Sequence, residues 1–129
     1  MKGKWNGRQL VPENWVELAT SKQVPNDAES HSKMGVDWRQ GYGFQFWRCT
    51  HDAFRGDGAA GQFVVVIPNK DAVIAITAET GNMQGELNAI WEKLLPAFVE
   101  RALPVDVAAQ GKLKNVIASL EAHPAKKTK

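Results

Sequence analysis

Ser30 and Lys33 in Ser30-His31-Ser32-Lys33 have the spacing of a serine nucleophile and the amine that takes its proton. Such a pair works when a helix start aims both side chains at one point. Here it falls within residues 21–37, a polar run punctuated by Pro25, Asn26 and Gly35, so the context supports a coincidence of spacing. Cys49 is the sole cysteine, which excludes an intrachain disulfide and leaves His51 as the one base near enough to activate the thiol. Its apolar surroundings favour a small buried hydrophobe instead. His51 and Asp52 stand before a glycine-rich crossing, where they border a cleft or form a surface turn, the turn being the simpler reading. His31, His51 and His123 are scattered without metal-ligand spacing, and no metal or cofactor is expected. Gly56, Gly58 and Gly61 are not followed by a helix, so a phosphate-cradling loop fails on context. Taken alone, Gly56-Asp57-Gly58 reads as a bulge or tight turn.

The elements that would position these residues are legible in part. Pro12, Glu13, Trp15, Leu18 and Ala19 predict a short helix over 12–20, with Pro12 at its first position. Residues 42–49 alternate, with Tyr42, Phe44, Phe46 and Arg48 on one face, and predict a strand. Phe63 to Ile67 and Ala72 to Ala78 are β-branched and nearly continuous, joined by Pro68-Asn69-Lys70-Asp71, which is hairpin chemistry. Strands apolar on successive residues bury both faces, so this sheet needs cover on two sides. Leu87, Ile90, Trp91, Leu94, Leu95 and Phe98 form a helical stripe that covers one side. Cover for the other is thin: the 12–20 helix and a weaker one at about 108–121, set apart by Pro104. A surplus apolar sheet face follows, the mark of a fragment or an obligate oligomer. The fold class expected is α+β, an antiparallel sheet of about three to five strands with flanking helices.

At 129 residues and 43% hydrophobic content the chain allows one domain with its own core. Residues 1–102 form that domain, and 103–129 a linker, a short amphipathic helix and a basic tail. The net charge of +2 sits largely in Lys126, Lys127 and Lys129, which gives no nucleic-acid footprint. The five tryptophans fall in different elements and read as packing, not as a base-stacking platform. No apolar run reaches the ~20 residues of a membrane span. The opening Met-Lys-Gly-Lys lacks the apolar core of a signal peptide, which leaves the compartment open.

Three stretches carry a resemblance to a known family: K-G-K-W-N-G-R-Q-L-V-P-E-N-W-V-E-L-A-T, then G-Y-G-F-Q-F-W-R through F-R-G-D-G-A-A-G-Q-F-V-V-V-I-P-N-K-D-A-V-I-A-I-T, then L-N-A-I-W-E-K-L-L-P-A-F. Together they cover most of residues 1–100 and resemble the closing part of the serine β-lactamase and penicillin-binding protein superfamily, in its class C-like, esterase-like branch. In that superfamily a Ser-x-x-Lys, a Tyr- or Ser-x-Asn and a Lys- or His-Thr-Gly carry the reaction. The resemblance implies that the nucleophile lies upstream of this chain, and that Gly56-Asp57-Gly58 holds the position of the third motif, a wall of the active site. Gly58 would let substrate approach the strand, and the Ala59 backbone N–H would serve an oxyanion hole. Gly56 and Asp57 replace the family's cation or imidazole and its hydroxyl. A carboxylate there would repel the acidic group of a penicillin, so a parent acting on uncharged esters, amides or peptides is implied. Tyr42-Gly43-Phe44 does not supply the Tyr-x-Asn.

Three functions remain in view. The chain is the C-terminal portion of a β-lactamase-like serine hydrolase, inactive alone, whose partner is the missing N-terminal part. Or it is a non-catalytic assembly module that pairs with a second copy. Or it is a small enzyme using Cys49 or the His51–Asp52 pair. No nucleic-acid or membrane partner is expected.

Overall fold

The computed structural model describes residues 2–26 and 33–120. Its contacts divide the chain into two units, Met1–Phe98 and Val99–Lys129. The first unit opens with a tight hairpin, β1 (Lys4–Trp5) and β2 (Arg8–Gln9). Asn6 and Gly7 turn it at φ of 47° and 76°, the left-handed pair that matches strand twist. Helix α1 (Glu13–Thr20) follows, with Pro12 as its N-cap, one position before the place its sequence suggested.

The main sheet is a four-stranded antiparallel meander: β3 (Trp47–Arg48), β4 (Phe54–Gly58), β5 (Gln62–Ile67) and β6 (Ala72–Ile76). The α+β class and the expected strand number are therefore observed. The Pro68–Lys70 turn ends on Asp71 in the left-handed region, as hairpin chemistry required. Register places Arg55 opposite Val65 and Asp57 opposite Phe63 on one face of the sheet. Phe63, Val65 and Ile67 are buried there, and a helix closes over them. The opposite face carries Phe54, Gly56, Val64, Val66, Val73 and Ala75. Val64 is 49% exposed and Val73 60%, while Phe54, with Phe46 edge-on against it, and Val66 are half-buried, so this apolar face is left uncovered around Val64, Val73 and Ala75. The surplus face read from the sequence is present; burial of both faces is not achieved within the described residues.

The strand expected over 42–49 is confined to Trp47–Arg48, with Tyr42 holding isolated bridges to Val24 and Trp47. Gly43 is the reason. A Cβ there would lie 2.3 Å from the Ala19 carbonyl oxygen, and the Phe44 N–H donates to that same oxygen at 2.8 Å. The chain leaves the sheet to cap the end of α1, with Gln45 at a φ of 65°. Alternation there records two different packing partners, not one pleat.

The expected 84–98 helix also changes character along its length. It is α-helical as α2 (Met83–Ala89), widens to a π-helical segment at Ile90–Leu94, and tightens to a 3-10 turn at Leu95–Ala97. Pro96 lacks the N–H that would continue the ladder, so the preceding turns readjust. Leu87, Ile90 and Trp91 stay buried, whereas Leu94 turns out to 46% exposure. In the second unit, α3 (Val107–Ser119) starts where the Asp106 carboxylate accepts from the Ala109 N–H at 2.8 Å, an ordinary N-cap.

Candidate functional site

The residues Gly56, Asp57 and Gly58 are neither bulge nor turn: they are the last three of β4, paired in register with Val64, Phe63 and Gln62 of β5. The turn is Ala59-Ala60-Gly61, which follows them. On its other side β4 meets β3 through Phe54 and Arg55 only, so among the described residues Gly56–Gly58 has no ladder partner along that edge. That leaves a stretch of backbone to which an extended ligand can add as a strand. A Cβ at Gly56 would meet nothing within 4 Å, whereas one at Gly58 would come 2.9 Å from the Gln62 Cβ. Gly58 thus has a packing reason inside the sheet, in addition to the one the resemblance gave.

Behind this strand lies a buried polar network. Arg55 is fully buried, and its Nε donates to the Asp57 Oδ2 at 2.8 Å. Its Nη1 donates to the Asp37 carbonyl at 3.0 Å and to the Cys49 Sγ at 3.1 Å. The guanidinium also lies over the Trp38 ring, 4.3 Å from its centroid, which stabilises a cation removed from water. Residues two apart on a strand share a face, so β4 aims Asp57 at Arg55. The carboxylate is therefore charge-paired and does not stand bare on the strand edge. Burial pushes the Asp57 carboxyl above its ordinary value, and the Arg55 guanidinium offsets part of that rise.

Asp37 is the second centre. It sits in a 3-10 turn, Val36–Trp38, after Gly35 at a φ of 122°. Any Cβ at Gly35 would strike the Gln84 side chain at 2.2 Å, so glycine is needed for space as well as for φ. The Asp37 Oδ1 accepts from the Thr50 N–H at 2.7 Å and from its hydroxyl at 2.8 Å. Its Oδ2 accepts from the Gln84 Nε2 at 2.7 Å and the Trp91 Nε1 at 2.9 Å. Burial pushes this carboxyl up, but the donors together outweigh it and hold the group below its ordinary value. One carboxylate thus ties together the loop before the sheet, the β3–β4 turn and α2.

The other sequence candidates separate. Cys49 is buried, and loss of solvation pushes its thiol up to about 11 despite the Arg55 guanidinium beside it. It is a packing residue that accepts a hydrogen bond, not a nucleophile. Iodoacetamide at pH 8 is expected to modify Cys49 only under unfolding conditions; rapid stoichiometric alkylation of the folded chain would contradict this. His51 and Asp52 form the β3–β4 turn, with φ of 59° and 55°, and they also border a cavity, so both readings of that pair hold. Ser30, His31, Ser32 and His123 lie outside the described residues. Ala59 opens the turn after β4 and is exposed.

Sequence reading missed Asp37 and Arg55. The signal for Arg55 was present: F-R-G-D-G puts opposite charges two apart on one strand face amid apolar neighbours, which calls for a buried pair. Asp37 gave none, because its partners lie 13, 47 and 54 residues away. Among the described residues no group of three or more His, Cys, Asp or Glu could hold a metal ion, and no helix is long and apolar enough to cross a membrane. In comparisons with known proteins, no family model and no curated protein matches the chain.

Proposed function

We propose that the chain is the C-terminal portion of a β-lactamase-like serine hydrolase, contributing a wall of the active site and inactive by itself. One observation carries this reading: a regular sheet has a helix on one face, while the other, with Val64 and Val73 exposed, is apolar and uncovered. Such a face stabilises a fold only when something packs on it. The rest of a hydrolase domain would do so. The β4 edge at Gly56–Gly58, without a ladder partner among the described residues, supports the same reading, because the resemblance aligns it with the family's third motif. The wall carries no cation or hydroxyl for an acidic substrate group, which favours esters, amides or peptides. Neither a fluorophosphonate nor a penicillin probe is expected to label this chain; stoichiometric labelling at Ser30 would overturn the reading.

A second reading, a self-associating assembly module, is favoured by β6. Among the described residues it pairs with β5 alone, and Ala72-Val73-Ile74-Ala75-Ile76 carries no charge or proline to blunt the edge. Sedimentation equilibrium with thermal unfolding separates the two. A cooperative dimer supports assembly; a loosely folded monomer that binds a hydrophobic dye supports the hydrolase portion.

A further inference from the structure

Two hairpin turns meet the π-helical and 3-10 turns that follow α2 around a cavity of about 290 Å³. The β3–β4 turn brings His51 and Asp52, and the β5–β6 turn brings Asn69 and Lys70. The apolar part of the lining is Trp91, Leu95 and Pro96. This cavity lies apart from the β4 edge, and nothing in the hydrolase reading uses it.

Three features make it a built place. Its floor is fixed: the Trp91 indole N–H is held by the buried Asp37 carboxylate at 2.9 Å, so the ring cannot turn away. The His51 ring lies 5.0 Å from the Trp91 ring, tilted by 43°. Trp91 also belongs to the π-helical segment, an irregularity frequent at functional sites. His51 and Asp52, finally, both occupy the left-handed region, where glycine would serve the turn at no steric cost. Histidine and aspartate tolerate that conformation better than most residues, but the turn itself gives no reason for an imidazole.

Chemistry sets the ligand class. Lys70 is the cation of the rim, and Asn69 adds an amide donor. The Asp52 carboxylate is 92% exposed, 4.0 Å from the Arg48 guanidinium, so water screens its repulsion of an acidic ligand. An acidic group is thus directed to Lys70 and Asn69. The rest of the ligand would lie on Trp91, His51, Leu95 and Pro96, surfaces that favour a flat apolar body. We propose that this cavity binds a small carboxylate carrying a planar, apolar body of one or two rings. Its volume sits at the lower end of ligand cavities, roughly 300–1,000 Å³, which suits that size.

The test is a titration of the whole chain with benzoate and, separately, inorganic phosphate at fixed ionic strength, followed by amide and indole N–H NMR shifts. Benzoate is expected to saturate by about 10 mM, with shifts confined to the two turns and the Trp91 indole. Lys70→Ala should weaken it about five-fold by removing the charge-assisted contact. His51→Gly keeps the left-handed turn while removing the ring, and should weaken benzoate by a similar factor without lowering the Tm. Shifts that stay linear in benzoate, equal affinity for phosphate, or unchanged affinity in both variants would each overturn the proposal. A dispersed amide spectrum shows that the chain is folded in the titration, and failure of benzoate in that state leaves the hydrolase reading untouched.

Discussion

Asp37→Asn is expected to lower the unfolding free energy by about 3–5 kcal/mol, although it changes one atom of one side chain. Both carboxylate oxygens accept two hydrogen bonds each, from Thr50 on one side and from Gln84 and Trp91 on the other. An asparagine offers one oxygen. Whichever way the amide is turned, its NH2 faces two donors, and those donors lose their partner inside the protein. Each buried donor left unsatisfied costs about 1–3 kcal/mol, those affected being the Thr50 N–H or, with the amide reversed, the Gln84 and Trp91 donors, and loss of the charge weakens the bonds that remain. The Tm should fall by more than about 10 °C, since each kcal/mol is worth roughly 4–8 °C in a domain of this size. A loss below about 1 kcal/mol would mean that water replaces the lost acceptor and that the network is not closed.

The same carboxylate gives a pH signature. Its folded pKa is depressed, so its contribution is fully present above the ordinary carboxyl value of about 3.9 and is lost as pH falls through the folded value. Asp57 acts in the opposite sense. Its folded pKa is raised, so its protonated form favours the folded state, and stability falls as pH climbs from about 3.9 through the folded value. Chemical denaturation across the acid range should therefore show stability rising with pH up to about 3.9 in the wild type, a rise that Asp37→Asn reduces. A slope unchanged in the variant would assign the acid sensitivity to other carboxyls.

What could be read in advance, and what could not, divides along physical lines. The β5–β6 hairpin was legible because β-branched runs and a Pro-Asn turn are local properties, set by residues next to one another. A helical segment after the hairpin was legible for the same reason, in the spacing of Leu87, Ile90 and Trp91. Its π-helical stretch was not, because Leu94 leaves the stripe only after Pro96 disturbs the ladder below it. The 42–49 strand failed because Gly43 answers to Ala19, a contact formed across a loop. The candidate site follows the same rule. The glycines of β4 read as a bulge or tight turn, because their regular pairing with β5 and the inward turn of Asp57 depend on partners elsewhere in the sequence. Asp37 depends on Thr50, Gln84 and Trp91, and a short polar loop carries no local mark of that.

Arg55→Met is expected to destabilise the chain by about 3–5 kcal/mol, and the second substitution Asp57→Leu to recover most of the loss. Methionine keeps the apolar length that packs on Trp38, Trp47 and Phe63, so the single variant tests charge more than volume. Without the guanidinium, the Asp57 carboxylate, its side chain 10% exposed, is left in an apolar layer with no cation. Removing one partner of a buried pair costs roughly 3–5 kcal/mol, whereas replacing both by apolar groups of similar volume is often neutral. Urea unfolding of the wild type, the two single variants and the double variant closes the cycle, and a coupling of more than about 3 kcal/mol is expected. A large coupling means that Asp57 stands on β4 because Arg55 is buried beside it. Independent, additive losses would instead free Asp57 from a structural duty. Its carboxylate would then become the first group on that wall to test against substrate.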